Sequence, residues 1–355
     1  MGYKMLNCAI VGCGKIAGGF EDILDTQYPY SHAGSYDISG QTKLVSVCDV
    51  SVDAVNEFGK RWNAKPYCDL EKMFECEDID ILSVCTPPSV RVEVISLAIK
   101  KCKSLKTIWC EKPLATSIAE AREIIDLCKS NGILLVINNW RRWDNMHNII
   151  RDIISSGKIG NVNMFLCHSH AGIINTGSHL FDLVCQYAES KFSSIFGVVV
   201  PDGSTDPGFV GGGFLENGAF VSISSAWSKL PRFGMEIIGE EGSIEAFSCG
   251  VLINSFLVKN DFGEKIYRRS DYSFKSPMHC EIDYIVGALS SNVEYLDPEY
   301  AIDTLVIAAA AYKSSSEGCS VNLPLSEHDE FYNIIFLPRI SSMTKDGSMP
   351  KSWRK

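Results

Sequence analysis

Leu6-Asn7-Cys8-Ala9-Ile10-Val11-Gly12-Cys13-Gly14-Lys15-Ile16-Ala17 decides the fold. Six residues of compact apolar sequence suit a parallel strand covered on both faces. They run directly into Gly12, Gly14 and Ala17, the GxGxxA form of the dinucleotide fingerprint. The first glycine makes the tight turn, and the second lets backbone approach a diphosphate. The small third residue lets strand and helix pack closely. The helical segment that follows would aim its free N–H groups at phosphate charge. Gly12, Cys13, Gly14, Lys15, Ile16 and Ala17 are therefore the expected cofactor loop. The competing reading is a glycine-rich turn without a ligand.

Working outward, the same strand–helix alternation repeats. Lys43 to Cys48, Ile79 to Cys85, Thr107 to Cys110 and Ile133 to Ile137 are further apolar runs. Val52 to Trp62, Asp69 to Cys76, Val90 to Lys101 and Ser117 to Ser130 have helical spacing between them. Such alternation predicts right-handed crossovers and a doubly wound parallel sheet, a Rossmann domain over residues 1–138. Beyond it the pattern changes. Asn217-Gly218 lies between apolar runs spanning Phe214 to Trp227, a strong hairpin signal. Gly239 to Gly242 separates Met235–Ile238 from Ser243–Phe247, and Asn260 to Gly263 separates Val251–Lys259 from Lys265–Arg269. Residues 139–355 are thus expected to form an α+β domain with an open, mainly antiparallel sheet. Ser178–Ala188, His279–Ser290 and Pro298–Ser315 are expected to cover one face of it.

Candidate chemistry sits where such sheets bind ligands, at the carboxyl ends of strands. Asp49 ends the second strand, where a carboxylate accepts from ribose hydroxyls and repels a 2′-phosphate. NAD is therefore favoured over NADP. The glycine loop and Asp49 are separated by more than the usual spacing of about 20 residues. The excess, Glu21 to Gly40, is read either as a border of the ligand cleft or as a surface excursion. Thr86-Pro87 and Glu111-Lys112-Pro113 end the third and fourth strands. Lys112 can hydrogen-bond a substrate oxygen and stabilise a developing alkoxide, although a single lysine is more commonly just solvated. In Asn175-Thr176-Gly177-Ser178-His179-Leu180-Phe181-Asp182, Ser178 can cap a helix and His179 falls in its first turn. A histidine suits a general base because it titrates near neutrality. Asp182 shares its helix face and can orient it, while a purely structural His179 is the alternative. Arg141 and Arg142, between Trp140 and Trp143, can grip a polar ligand or join domains. Cys167, His168, His170 and His179 fit no standard closed zinc site, so no metal is expected.

Composition narrows the field. The chain has 355 residues, net charge -10, 46% hydrophobic and 21% charged residues. That is the profile of a globular protein. The acidic balance argues against nucleic acid or an anionic membrane as partner. No apolar run approaches a membrane span, Leu305 to Ala311 being the longest. The first residues lack the features of a signal peptide. Fourteen irregularly spaced cysteines, without a CxxC pair, read as buried hydrophobes in a reducing compartment. A cytoplasmic location is the expectation.

Taken in order, Gly12 to Ala17, Asp49, Thr86-Pro87, Glu111-Lys112-Pro113, Gly177-x-His179-x-x-Asp182, Gly239 to Gly242, and Ala308 to Gly318 with Val321 resemble the Gfo/Idh/MocA family over nearly the whole chain. The resemblance implies a Rossmann domain followed by an open-sheet domain often used for oligomerisation, here a homo-dimer or homo-tetramer. It implies NAD- or NADP-linked oxidation or reduction of a sugar, polyol or nucleotide-linked sugar. Lys112 matches the family's active-site lysine, and His179 its active-site histidine. Pro113 matches a proline often preceded by a cis peptide. Two positions depart: Asn175 stands where the family often has Asp, and Arg91 where it often has His. These departures keep open a non-catalytic NAD- and sugar-binding sensor, or a protein using bound NAD as an internal relay in glycosidic cleavage or isomerisation. Lys112, Arg141, Arg142, Asn175 and His179 are the expected substrate contacts, with Lys112, His179, Asn175 and Asp182 at the chemistry.

Overall fold

The structure, a computed structural model, describes residues 5–22, 28–200, 206–225, 232–249, 252–290 and 295–333. Residues 23–27 of the Glu21–Gly40 stretch, the end of the strand expected to reach Trp227, and Val251 lie outside these. The chain divides into two compact units. One holds Met1–Ala115, Glu120–Asn145 and Phe274–Ala301; the other holds Thr116–Ala119, Met146–Ser273 and Ile302–Lys355.

The first unit contains six parallel strands: β1 (Leu6–Val11), β2 (Thr42–Cys48), β3 (Lys65–Tyr67), β4 (Ile81–Val84), β5 (Thr107–Glu111) and β6 (Leu134–Asn138). Their order, β3-β2-β1-β4-β5-β6, is that of a doubly wound dinucleotide-binding sheet. Every residue of β4, β5 and β6 is buried, as expected when helices cover both faces. The helices are α1 (His32–Ile38), α2 (Val52–Trp62), α3 (Leu70–Cys76), α4 (Arg91–Lys101) and α5 (Ile118–Ser130). Their starts are written in the sequence. Ser31, Ser51 and Asp69 each accept from the backbone N–H three residues on.

Three features depart from expectation. β3 is too short to register as an apolar run. The Glu21–Gly40 stretch is no surface excursion over its second half, because α1 buries His32, Ala33, Gly34, Ser35 and Tyr36. The segment opened by the glycine loop is a single π-helical turn, Lys15–Gly19, followed by one 3-10 turn.

The second unit contains α6 (Asn145–Ser155, its first residue aside), β7 (Val162–Ser169), α7 (Ser178–Ala188), β8 (Phe192–Val200), β9 (Gly208–Leu215), β10 (Phe220–Ser225), β11 (Phe233–Gly239), β12 (Gly242–Ser248), β13 (Ser255–Asn260) and β14 (Gly263–Arg268). The later helices of the chain are α8 (Pro277–Ser290) and α9 (Glu299–Glu317), and β15 (Val321–Asn322) completes the second sheet. That nine-stranded sheet runs β14-β13-β12-β11-β7-β10-β9-β8-β15. All its pairings are antiparallel except β7 with β10. α8 does not cover this sheet as expected. Met278, Ile282, Ile285 and Val286 join the core of the first unit with Ile10, Val47, Trp109 and Val136. Helical periodicity marks an apolar stripe but does not say which sheet it meets.

Candidate active site

Four of the six strands of the first sheet end at residues the sequence singled out. Gly12 follows β1, Asp49 follows β2, Thr86-Pro87 follow β4, and Glu111-Lys112 close β5. Since β2, β1, β4 and β5 are neighbours, these residues gather along one edge. Gly12 sits at φ +92°, where a Cβ would come within 2.9 Å of the Cys85 carbonyl group. Only glycine fits that turn. At Gly14 the reverse holds, since a Cβ would meet nothing within 4 Å. Open space above backbone there is what an approaching diphosphate needs. Ala17 is fully buried, and at the next position a Cβ on Gly18 would strike Trp62 and Phe58. Small residues at 17 and 18 thus set the close packing of the turn.

Asp49 is nine-tenths buried. Its carboxylate accepts from the Cys13 N–H at 2.8 Å and the Ser51 N–H at 2.9 Å. It therefore joins the glycine loop to the end of β2. A carboxylate has about four acceptor sites, so capacity remains for ribose hydroxyls. The residues present fit a pyridine dinucleotide: Gly12 to Ala17 for the diphosphate and Asp49 for the adenosine ribose. Burial pushes the Cys13 thiol up, with Asp49 adding to it, and pushes Cys48 up to about 12. Neither thiol is a nucleophile at neutral pH.

The Lys112–Pro113 peptide is cis, and Lys112 is half-buried. Its neighbour Glu111 belongs to a buried network. The Glu111 carboxylate meets His32 Nε2 at 3.1 Å and accepts from Asn138 Nδ2 at 2.5 Å. His32 Nδ1 lies 2.8 Å from Ser83 Oγ, which also pairs with Tyr36 OH at 2.6 Å. Burial alone would raise the Glu111 carboxyl. The His32 bond, with help from Asn138 and the Arg91 charge, holds it below its ordinary value instead. His32 is the residue sequence reading missed. The only signal was the over-long stretch before Asp49, and nothing in it singled out one histidine. Arg141 is buried and stacks on Trp140 at 4.5 Å, and Arg142 stacks on Tyr300 at 4.1 Å. Both guanidinium groups thus rest on aromatic faces within the first unit.

In the second unit, Asn175 lies in a π-helical turn, Ile173–Gly177, that runs directly into α7. His179 and Asp182 are buried in the first turns of that helix. Ser178 does not cap it, contrary to expectation. Its hydroxyl donates back to the Ile174 carbonyl at 2.7 Å, because the π turn already continues the helix upstream. The free N–H groups are met by Asp206, buried and distant in sequence. Its carboxylate accepts from Ile174 at 2.9 Å and Asn175 at 2.7 Å. A Cβ on Gly172 would overlap that carboxylate. No local pattern linked Asp206 to this turn, since 31 residues separate it from Asn175. No group of His, Cys, Asp and Glu among the described residues could hold a metal ion. No described helix is long and apolar enough to cross a membrane.

A parallel sheet with a glycine turn and a ribose-side acid defines the first unit as a dinucleotide-binding domain. The second unit adds a nine-stranded, mainly antiparallel sheet. Residues 6–139 match the model of the oxidoreductase family with an NAD-binding Rossmann fold. The likeness to this family is thus carried by the NAD-binding Rossmann part of the chain. It is 32% identical over 106 residues to an uncharacterized oxidoreductase of Schizosaccharomyces pombe, covering 30% of this chain and 28% of that one. It is 26% identical over 125 residues to dTDP-3,4-didehydro-2,6-dideoxy-alpha-D-glucose 3-reductase of Saccharopolyspora spinosa, covering 35% and 37%. These matches thus span well under half of the relatives' own lengths. The WlbA dehydrogenase of Bordetella pertussis, solved with NADH and UDP-GlcNAcA, superimposes with a TM-score of 0.75 at 17% identity. That match covers 92% of this chain and all of the other, and it is a likeness of fold.

Proposed function

We propose that the protein is an NAD-dependent oxidoreductase acting at a hydroxyl-bearing carbon of a sugar, polyol or nucleotide-linked sugar. The observation that carries this reading is the gathering of the glycine turn, Asp49 and the Lys112 strand end along one edge of the first sheet. Bound nicotinamide supplies the hydride acceptor or donor. The protein's own residues must then hold the substrate and move its proton. Lys112 hydrogen-bonds the reacting oxygen and stabilises charge on it. His179 takes the hydroxyl proton on oxidation and returns it on reduction, with Asp182 on the same helix face to orient it. Asn175 contributes an amide in place of a carboxylate, so it can hydrogen-bond substrate but cannot exchange a proton. Arg141 and Arg142 are proposed as further substrate contacts. Asp49 favours NAD, because a 2′-phosphate would meet its negative charge. The proteins named above that act on or bind nucleotide sugars support that substrate class.

The test is NADH fluorescence titration followed by a panel of sugars, polyols and nucleotide sugars. Lys112→Ala and His179→Ala should each cut turnover by about 100-fold or more while NADH binding persists. Normal turnover in both variants would overturn the roles, and tighter binding of NADPH than NADH would overturn the cofactor preference. A reducing compartment and a homo-dimer or homo-tetramer complete the proposal. No cysteine among the described residues is in a disulfide, and Val198, Val210 and Phe214 are exposed on β8 and β9.

A further inference from the structure

We propose that Arg91 is the positioning residue for Lys112, a role resting on the reading of Lys112 as the active-site lysine. Arg91 opens α4 and is 3% exposed. Its guanidinium reaches two different loops. Nε and Nη2 donate to the Thr86 carbonyl at 3.0 and 2.7 Å, in the loop after β4. Nη1 donates to the carbonyls of Glu111 and Pro113. Those two carbonyls bracket Lys112 on either side. The backbone carrying the lysine is therefore tied at both flanks, and tied to the neighbouring loop that follows β4.

The residue type suits the task. Carbonyls at the ends of parallel strands have run out of ladder partners and need donors. A guanidinium offers five N–H groups in a rigid plane, whereas a neutral imidazole offers one. The histidine common in similar proteins could hold one of these carbonyls, not three. A buried cation also needs compensating charge. Glu111 supplies it, with its carboxylate held by His32 and Asn138. The same residue thus gives Arg91 a backbone acceptor and a balancing charge. Arg91 touches no reacting atom in this account. Its effect runs through where Lys112 is held.

The experiment compares Arg91→Gln and Arg91→Lys with the parent protein. Lysines are labelled with trinitrobenzenesulfonate and their individual rates read by peptide mass spectrometry. The exposed Lys103 and Lys129 serve as internal references. In Arg91→Gln the Lys112 rate should rise severalfold against those references, and Arg91→Lys should restore part of the difference. With a turned-over substrate from the panel, kcat should fall by roughly 10- to 100-fold with the NADH affinity nearly unchanged. An unaltered Lys112 rate in folded, NADH-binding Arg91→Gln would overturn the proposal. If Arg91→Gln does not fold, Arg91→Lys decides by the same readouts, since it keeps the charge and loses the fork. Should Lys112→Ala leave turnover intact while Arg91→Gln still changes Lys112 reactivity, the catalytic reading falls and the positioning contact stands.

Discussion

The two units fix their candidate site loops with buried charges of opposite sign. In the first, Arg91 collects the carbonyls of Thr86, Glu111 and Pro113 at strand ends. In the second, Asp206 collects the N–H groups of Ile174 and Asn175 where a helix begins. The sign follows the backbone. Strands that stop leave acceptors unpaired, and helices that start leave donors unpaired. The largest effect should come from breaking the simpler of the two arrangements. Asp206→Ala strands the buried Ile174 N–H, costing about 1–3 kcal/mol, and the part-buried Asn175 N–H, which water can partly satisfy. Thermal unfolding should fall by several degrees, and Asp206→Asn, which keeps one acceptor, should lose less. An unchanged unfolding temperature in Asp206→Ala would mean the turn is held by something else.

A second contrast lies within the first unit. Glu111 and Glu281 are both buried, yet their carboxyls shift in opposite directions. Glu111 is held down by His32, Asn138 and Arg91 against the cost of burial. Glu281 is pushed well above its ordinary value, chiefly by burial, with Glu111 adding to it. Neither of its oxygens makes a close hydrogen bond to Trp109 or Trp143 beside it. Glu281 therefore stays protonated when folded and ionises when unfolded. Its contribution is full below an unfolded value of about 4.3 and is lost as pH rises towards the folded one. Glu111 has the opposite sign: its contribution is present above about 4.3 and lost as pH falls through its lowered value. Glu281→Gln, a neutral match in shape, should raise stability at neutral pH and flatten the decline as pH rises above the unfolded value. Parallel pH profiles for the parent and Glu281→Gln would refute this account.

These contrasts also mark how far the sequence could be read. Contiguous patterns were legible: the glycine turn, the run of strands ending in Asp49, Thr86 and Lys112, and the α7 helix with its exact bounds. Each is encoded within a dozen residues, where spacing alone carries the information. What escaped was long-range. His32 meets Glu111 across 79 residues, Asp206 meets Asn175 across 31, and α8 returns to the first core after the second sheet. Arg91 was visible as a departure from a pattern, but its three carbonyls are set by tertiary placement. Ser178 shows the local limit, because a hydroxyl before a helix caps it only if the preceding turn is not helical already.

The smallest effect on folding concerns the sheets themselves. In β4 and β5 every residue is buried, whereas β8 and β9 mix buried residues with exposed ones. Phe196 and Val198 pair with Gly212 and Val210, which places them on one face with Phe214. Their exposures are 38%, 61%, 48% for Val210 and 46% for Phe214. Phe220 stacks against Phe196 and tilts against Phe214, extending the patch onto β10. A contiguous apolar face of this kind marks an association surface rather than scattered exposure, and a second copy of the chain is the proposed cover. Val198→Lys and Phe214→Glu remove no buried partner within one chain. Each should change the stability of a dissociated subunit by no more than about 0.5 kcal/mol. Native mass spectrometry should nevertheless show the subunit count falling to one, since two charges would be buried without partners in a symmetric contact. An unchanged assembly in both variants would place the interface elsewhere and leave this face open to water.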